Sequence, residues 1–295
     1  MPGDRPLRLA TRGSAQARTQ ARGVAEALMR SDPDLVVELV FVETLGDRTQ
    51  HDEVPLHTIG GQGVFVKEIQ NAVLRGDADM AVHSAKDLPS EAAEGLRLAA
   101  FCARRDARDV LVGATLADLA AGATVATGSV RRRAQLTVAR PDLQFVELRG
   151  NIHTRLGKVP PGGAIVMAAA ALEVLDMLGE IAEYLPPASF VPSPGQGCVA
   201  VECRADDDAM ISVLSTVDHQ QTREAVEIER AFLAELGSGC SLPVGAYVCD
   251  GSLIAFLASA DLGRHVIESI GLAGDHGVAV ASSAALARSM HERVL

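Results

Sequence analysis

Apolar and polar positions in the first forty residues change period twice. Leu7 to Ala10 is a short apolar run and reads as a strand. Ala17, Ala21, Val24 and Leu28 then recur on one helical face, predicting a helix from about Ser14 to Arg30 with Ser14 as N-cap. A β-rich run from Leu35 to Val42 completes a βαβ unit and puts the loop Thr11-Arg12-Gly13-Ser14 at a strand's carboxyl end. Beyond the turn Gly60-Gly61-Gln62-Gly63, Phe65, Ile69 and Val73 fall four residues apart on a helix that stops near Gly76. A strand at about Asp79 to His83 leads into Ser84-Ala85-Lys86-Asp87-Leu88-Pro89. These polar residues also follow a strand, at the edge where open α/β sheets bind ligands.

The plan then repeats. A strand near Thr124 to Ala126 meets the loop Thr127-Gly128-Ser129, a helix carrying Arg131, Arg132 and Arg133, and a strand near Leu143 to Leu148. Leu9 to Ser14 and Val125 to Ser129 both close a strand with small hydroxylated residues and set cations at a helix start, a weak echo of duplicated architecture. After Arg149-Gly150-Asn151 the pattern predicts another helix, the apolar strand Ala164 to Met167 and an alanine-rich helix ending near Gly179. Pro186, Pro187, Pro192 and Pro194 mark a connection, because proline neither donates to a ladder nor continues a helix. A helix from about Gln220 through Glu235, the loop Gly237-Ser238-Gly239-Cys240, and strands at Ala246 to Val248 and Leu253 to Leu257 suggest a small third domain.

At 295 residues the chain exceeds one ordinary core, which agrees with several small units. No segment has the apolar length of a membrane span, and the polar N-terminus leaves no room for a signal-peptide core. The net charge of -11 argues against nucleic acid, so any anionic ligand must meet a local basic cleft. The five cysteines, Cys102, Cys198, Cys203, Cys240 and Cys249, include no C-x-x-C pair and fit neither a disulfide framework nor a zinc site. A reducing cytoplasm and no metal are expected.

Arg12, Lys86, Arg131, Arg132, Arg149 and Arg155 follow strands or open helices, and arginine's planar fork suits carboxylates. Any one of them could equally be a solvated surface cation. Asp87 is either a turn residue or a fixed carboxylate that accepts N–H donors and stabilises cations. Cys240, between Gly239 and Ser241, is either packed or an accessible nucleophile, whereas Cys198 and Cys203 flank Val199-Ala200-Val201 and read as core. His83 has no second His or Asp at ligand spacing and reads as structural.

Seven segments resemble the porphobilinogen deaminase family, in the family's order and along nearly the whole chain. They are Leu9 to Ser14 (LATRGS), Phe65 to Glu68 (FVKE), Ala81 to Pro89 (AVHSAKDLP), Asp106 to Asp109 (DARD), Leu148 to Arg155 (LRGNIHTR), Pro194 to Arg204 (PGQGCVAVECR) and Glu229 to Gly245 (ERAFLAELGSGCSLPVG). The resemblance implies an α/β fold with two periplasmic-binding-protein-like (type II) doubly wound lobes, a cleft between them, and a small α+β C-terminal domain. The implied domains are 1–102 with 195–217, 103–194, and 218–295, the last carrying the cofactor cysteine. The implied activity is head-to-tail condensation of four porphobilinogens with loss of ammonia, followed by hydrolytic release of hydroxymethylbilane in heme biosynthesis. A dipyrromethane held as a thioether on Cys240 would prime the chain.

By the same resemblance Asp87 is the catalytic carboxylate. Ser84, Lys86, Thr127, Ser129, Arg131, Arg132, Gly150 and Arg155 would bind the cofactor, and Arg12, Ser14, Gln20, Phe65, Arg149 and Gln196 the substrate. Porphobilinogen is the implied partner, with no nucleic acid, no membrane and a monomeric state. Thr58 and Gln62 stand where relatives often carry lysine, Gly128 where serine is common and Val174 where arginine is usual, and His153 is unusual. Two alternatives stay open: a paralogue with altered pyrrole specificity, and a non-catalytic two-lobed anion-binding protein. Retention of Asp87 and Cys240 argues against the second.

Overall fold

A computed structural model describes residues 5–44, 66–237 and 242–294, so Phe65, the Gly60 to Gly63 turn and Cys240 lie outside the described residues. The described chain falls into two compact units, one from residues 5–44, 66–105 and 198–223, the other from 106–197, 224–237 and 242–294.

In chain order the first unit holds β1 (Leu7–Arg12), α1 (Ala15–Ser31), β2 (Val37–Val42), α2 (Lys67–Leu74), β3 (Met80–Ser84) and β4 (Leu96–Phe101). The second begins with β5 (Asp109–Val112), β6 (Thr124–Ala126), α3 (Val130–Ala139), β7 (Gln144–Val146), α4 (Ile152–Leu156), β8 (Ala164–Ala168), α5 (Ala169–Glu173) and β9 (Ile181–Tyr184). The chain returns to the first unit with β10 (Val199–Arg204) and α6 (Asp208–Ser215), and α7 (Gln220–Glu235) leads into β11 (Val244–Cys249), β12 (Ser252–Ala258), β13 (His265–Gly271) and α8 (His276–Val294).

The first sheet has the order β2-β1-β3-β10-β4 and the second β7-β6-β8-β5-β9. In each, one strand next to the edge, β10 or β5, runs against its two neighbours, while β1 or β6 lies parallel to the strands on either side. β1 and β6 therefore occupy equivalent places, and the echo in their loops reflects duplicated architecture. Side-chain alternation produces the two-faced burial of the first sheet. Leu7, Leu9, Met80 and Val82 pack with Val24 and Leu28 of α1 on one face, and Ala10 and Ala81 pack with Ile69 and Val73 of α2 on the other. Fully burying side chains such as Leu9 or Leu28 contributes roughly 1.5–3 kcal/mol each.

The third sheet, β11-β12-β13, is an antiparallel meander packed with α7 and α8 through Phe232, Leu253, Ala287 and Met290. The fold class is thus two doubly wound α/β lobes plus a small α+β domain. Within the second unit, buried Glu229 of α7 accepts from Gly195 N at 2.8 Å and from Val248 N at 2.9 Å, so one carboxylate ties the Pro-rich connection to the third sheet.

The alanine-rich helix is shorter than its composition predicts and ends at Glu173. Asp176 takes a left-handed φ of 56°, and Met177 N turns back onto Leu172 O at 2.9 Å, which stops propagation before Gly179. The Leu143 to Leu148 strand shrinks to Gln144–Val146, and the first lobe's third strand ends one residue later than predicted, at Ser84.

Candidate active site

The first unit builds a pocket from the ends of β1 and β3 and the starts of α1 and α2. β1 delivers Arg12, and Ser14 caps α1 by accepting from Ala17 N at 3.3 Å, as its place before an apolar helical face predicts. β3 ends at Ser84, where a single 3-10 turn, Ala85–Asp87, replaces a longer helix. The turn is pinned by Ala85 N donating to Cys198 O at 2.9 Å and by Leu88 N donating to Ala85 O at 3.3 Å. It buries Ala85, leaves Lys86 half-buried and holds Asp87 in solvent reach.

The resulting cavity, about 410 Å³ with its open mouth, is lined by Arg12, Ser14, Gln16, Gln20, His83, Ser84 and Asp87, with Val66, Ile69 and Val82 as apolar wall. Ser84 Oγ donates to Gln20 Oε1 at 3.2 Å. Four of the predicted substrate or cofactor residues, Arg12, Ser14, Gln20 and Ser84, therefore share one cavity with Asp87. Phe65, expected to pack on a ring, and Cys240, expected to carry the cofactor, fall outside the described residues.

In the second unit, Thr127 Oγ1 accepts from Ser129 N at 3.2 Å and Ser129 caps α3 by accepting from Arg132 N at 3.4 Å. Arg131 and Arg132 are only 5% and 8% exposed, unlike cations waiting at an open surface. Arg131 Nη1 donates to Asp109 Oδ2 at 2.7 Å and to Val191 O at 2.7 Å. Arg132 donates to Asp109 Oδ1 through Nε at 2.9 Å and Nη2 at 2.7 Å, and to Val166 O through Nη1 at 3.0 Å. Burial lowers the pKa of Arg131, and the Asp109 carboxylate opposes that effect. The three side chains together carry one net positive charge.

Gln196, expected at the substrate, is also buried, and its Nε2 donates to Ala107 O at 2.7 Å and Asp109 Oδ1 at 3.0 Å. Its amide is committed to the lobe interior beside Arg131 and Arg132. Arg149 is 8% exposed, and its carbonyl accepts from Lys158 Nζ at 3.1 Å. Gly150 has a φ of 112°, and a Cβ there would come within 2.8 Å of Thr154 Cγ2, so glycine is required. Arg155 Nε donates to Gly150 O at 2.7 Å, linking two predicted cofactor residues. His153 is exposed, and Gly128 leaves room for Glu147, whose Oε1 would lie 2.7 Å from a Cβ at that position.

Two buried carboxylates escaped the sequence reading as site residues: Asp109 at the head of β5 and Glu202 in β10. Each is an acidic residue inside or opening an apolar run, DVLV and VAVEC, and a charge at such a position requires a buried partner. That signal was available in the sequence.

Two doubly wound lobes, with a carboxylate, an arginine and a helix-capping hydroxyl beyond the strand ends of the first, define a ligand-binding α/β protein with a site for polar, charged ligands. Residues 7–212 match the family profile described as "Porphobilinogen deaminase, dipyromethane cofactor binding domain", and residues 223–292 match "Porphobilinogen deaminase, C-terminal domain". A porphobilinogen deaminase of Acidothermus cellulolyticus is 48% identical over 249 residues, covering 81% of this chain and 74% of that one. Those of Geobacter sulfurreducens and Thermobifida fusca are 43% and 47% identical over 90% and 82% of this chain and 85% and 76% of theirs. The chain belongs to the porphobilinogen deaminase family, and its first 212 residues include the family's dipyrromethane-binding domain. A Salmonella typhimurium periplasmic binding protein aligns with 72% of this chain and 92% of its own at 16% identity and a TM-score of 0.39, too slight a likeness to argue from. Among the described residues no helix is long and apolar enough to cross a membrane.

Proposed function

We propose that the protein is a hydroxymethylbilane synthase, a transferase that condenses four porphobilinogens head to tail with loss of ammonia and frees the linear tetrapyrrole by hydrolysis. The observation that carries this reading is Asp87, held at the end of β3 in a pocket with Arg12, Ser14, Gln20 and Ser84. Loss of ammonia from porphobilinogen leaves a cation on the departing group's carbon. A fixed carboxylate beside that carbon stabilises it without reorganisation at the moment of reaction. Arg12, Ser14 and Gln20 orient the acetate and propionate groups of the incoming ring, with Arg149 and Phe65 assisting.

The dipyrromethane, bound as a thioether to Cys240, supplies the free pyrrole carbon on which the chain grows. The donor set suits it. Arg131 and Arg132 retain one net charge beside Asp109, and with Lys86 and Arg155 they supply cations for the carboxylates of a two-ring group. Thr127, Ser129, Ser84 and the Gly150 backbone complete that set. Gln196 acts on the site through Asp109 rather than by touching substrate. We assign the protein three domains, a monomeric state and a cytoplasmic location.

The intact mass of the purified protein tests the reading. It should exceed the sequence mass by two porphobilinogens less two ammonias, and Cys240→Ser should abolish the increment. An unmodified wild-type protein that still turns over porphobilinogen would refute the cofactor assignment, and binding of porphobilinogen without turnover would favour a non-catalytic protein.

A further inference from the structure

His83 lines the Asp87 pocket, and neither the fold nor the reaction as derived above gives it a task. Antiparallel pairing of β3 with β10 sets His83 opposite Ala200 and Ala81 opposite Glu202, so His83 and Glu202 are diagonal neighbours on one face of the sheet. Their side chains are 2% and 3% exposed, and His83 Nε2 lies 3.0 Å from Glu202 Oε2 without the alignment of a hydrogen bond. Gln70 reaches down from α2 and donates Nε2 to both oxygens of Glu202 at 3.2 and 2.9 Å. The surrounding face is apolar, formed by Ala10, Ile69, Ala72 and Ala81.

We propose that His83 and Glu202 form a buried titrating pair that sets the charge of the pocket wall, with His83 as a positioning residue for the condensation. This rests on the function proposed above. The charged groups facing His83 are Glu202 from β10, Arg12 from β1 and Asp87 from the 3-10 turn; Gln70 from α2, Gln16 and Gln20 from α1, and Ser84 are neutral. With a proton on the imidazole the pair is neutral. Without it the pair carries one negative charge that faces the substrate cation from the pocket floor, adding to Asp87. The proton exchanges with solvent, and no bond to substrate is made or broken at His83. Turnover therefore rises with pH as the pair gives up its proton.

The test uses the loaded holoenzyme and compares kcat and KM for porphobilinogen from about pH 5 to 9 in wild type, His83→Gln and Glu202→Gln, alongside an NMR titration of the His83 imidazole. Wild type should show a rising limb of kcat. His83→Gln should lose that limb and hold the upper plateau throughout, because Glu202 stays charged. Glu202→Gln should lower kcat about tenfold at the upper plateau, the order expected for removing one charge in a partly buried site, with KM nearly constant. In the same variant the His83 resonances should titrate at lower pH, and Glu202→Asp, which withdraws the charge without removing it, should give an intermediate kcat. A wild-type limb that persists in His83→Gln, or imidazole resonances that titrate identically in wild type and Glu202→Gln, would overturn the proposal. Failure of the wild type to consume porphobilinogen would instead refute the function, while the NMR arm would still decide whether the two groups are coupled.

Discussion

Replacing Asp109 by asparagine probes the internal support of the basic site. The carboxylate accepts from Arg131 Nη1, Arg132 Nε and Nη2, and Gln196 Nε2 at 2.7, 2.9, 2.7 and 3.0 Å, and it is fully buried. Asparagine keeps the shape and one accepting oxygen but leaves two nearly buried guanidinium charges facing each other without their counter-ion. Breaking a buried ion pair from one side costs about 3–5 kcal/mol, and hydrogen bonds to charged groups contribute roughly 1.5–3 kcal/mol each, so about 3 kcal/mol is the smallest loss expected. For a unit of this size each kcal/mol moves the midpoint by about 2–4 °C, which puts the unfolding of the second unit roughly 6–20 °C lower. Differential scanning calorimetry of wild type and Asp109→Asn reads this directly. A midpoint within about 2 °C of wild type would refute the assignment of Asp109 as the group that holds both arginines.

Burial pushes the Asp79 carboxyl up, but hydrogen bonds from Arg5 and from the backbone and side chain of Arg8 outweigh it and hold the group well below the usual carboxylate range. A depressed folded pKa gives stability that is present above the unfolded value, about 4, and lost as pH falls. The stability gap between wild type and Asp79→Asn should therefore be widest near neutral pH and shrink in acid, as urea unfolding at several pH values would show. Burial raises the Cys102 thiol to about 11, with the Asp218 charge adding to the shift, and burial chiefly, then Asp207, does the same for Cys203. Both should resist alkylation in the native protein near pH 8, where roughly one such thiol in a thousand is ionised; modification at the rate of a free thiol would contradict the burial of these cysteines. Gly150→Ala forces a side chain into a left-handed backbone against Thr154 and should cost about 1–3 kcal/mol in unfolding, whereas an unchanged midpoint would mean that the loop relaxes.

Local signals carried the sequence reading wherever one segment decides its own structure. Ser14 before an apolar helical face placed the start of α1, and the helix predicted through Glu235 runs Gln220–Glu235. β5 and β9 were not anticipated, because each has only four residues and depends on pairing distant in sequence, β5 with β8 and β9, and β9 with β5. The order of strands within each sheet is likewise a property of long-range pairing. Arg131 and Arg132 were legible as a pair of cations opening a helix, but not as internal partners of Asp109, since that ion pair joins positions 22 and 23 residues apart. The buried environment of His83 was invisible for the same reason. Its partner Glu202 arrives on β10, after the chain has completed the second lobe.

The steady-state turnover of porphobilinogen by Asp87→Asn, with the dipyrromethane adduct confirmed by mass, tests the central claim most directly. An amide of the same shape cannot offset the positive charge that develops as ammonia leaves, so kcat should fall about 100-fold or more, the loss typical of one preorganised electrostatic group. Fold and adduct should be retained. Wild-type turnover by a loaded Asp87→Asn would contradict the account, because the pocket would then perform the condensation without the carboxylate around which it is built.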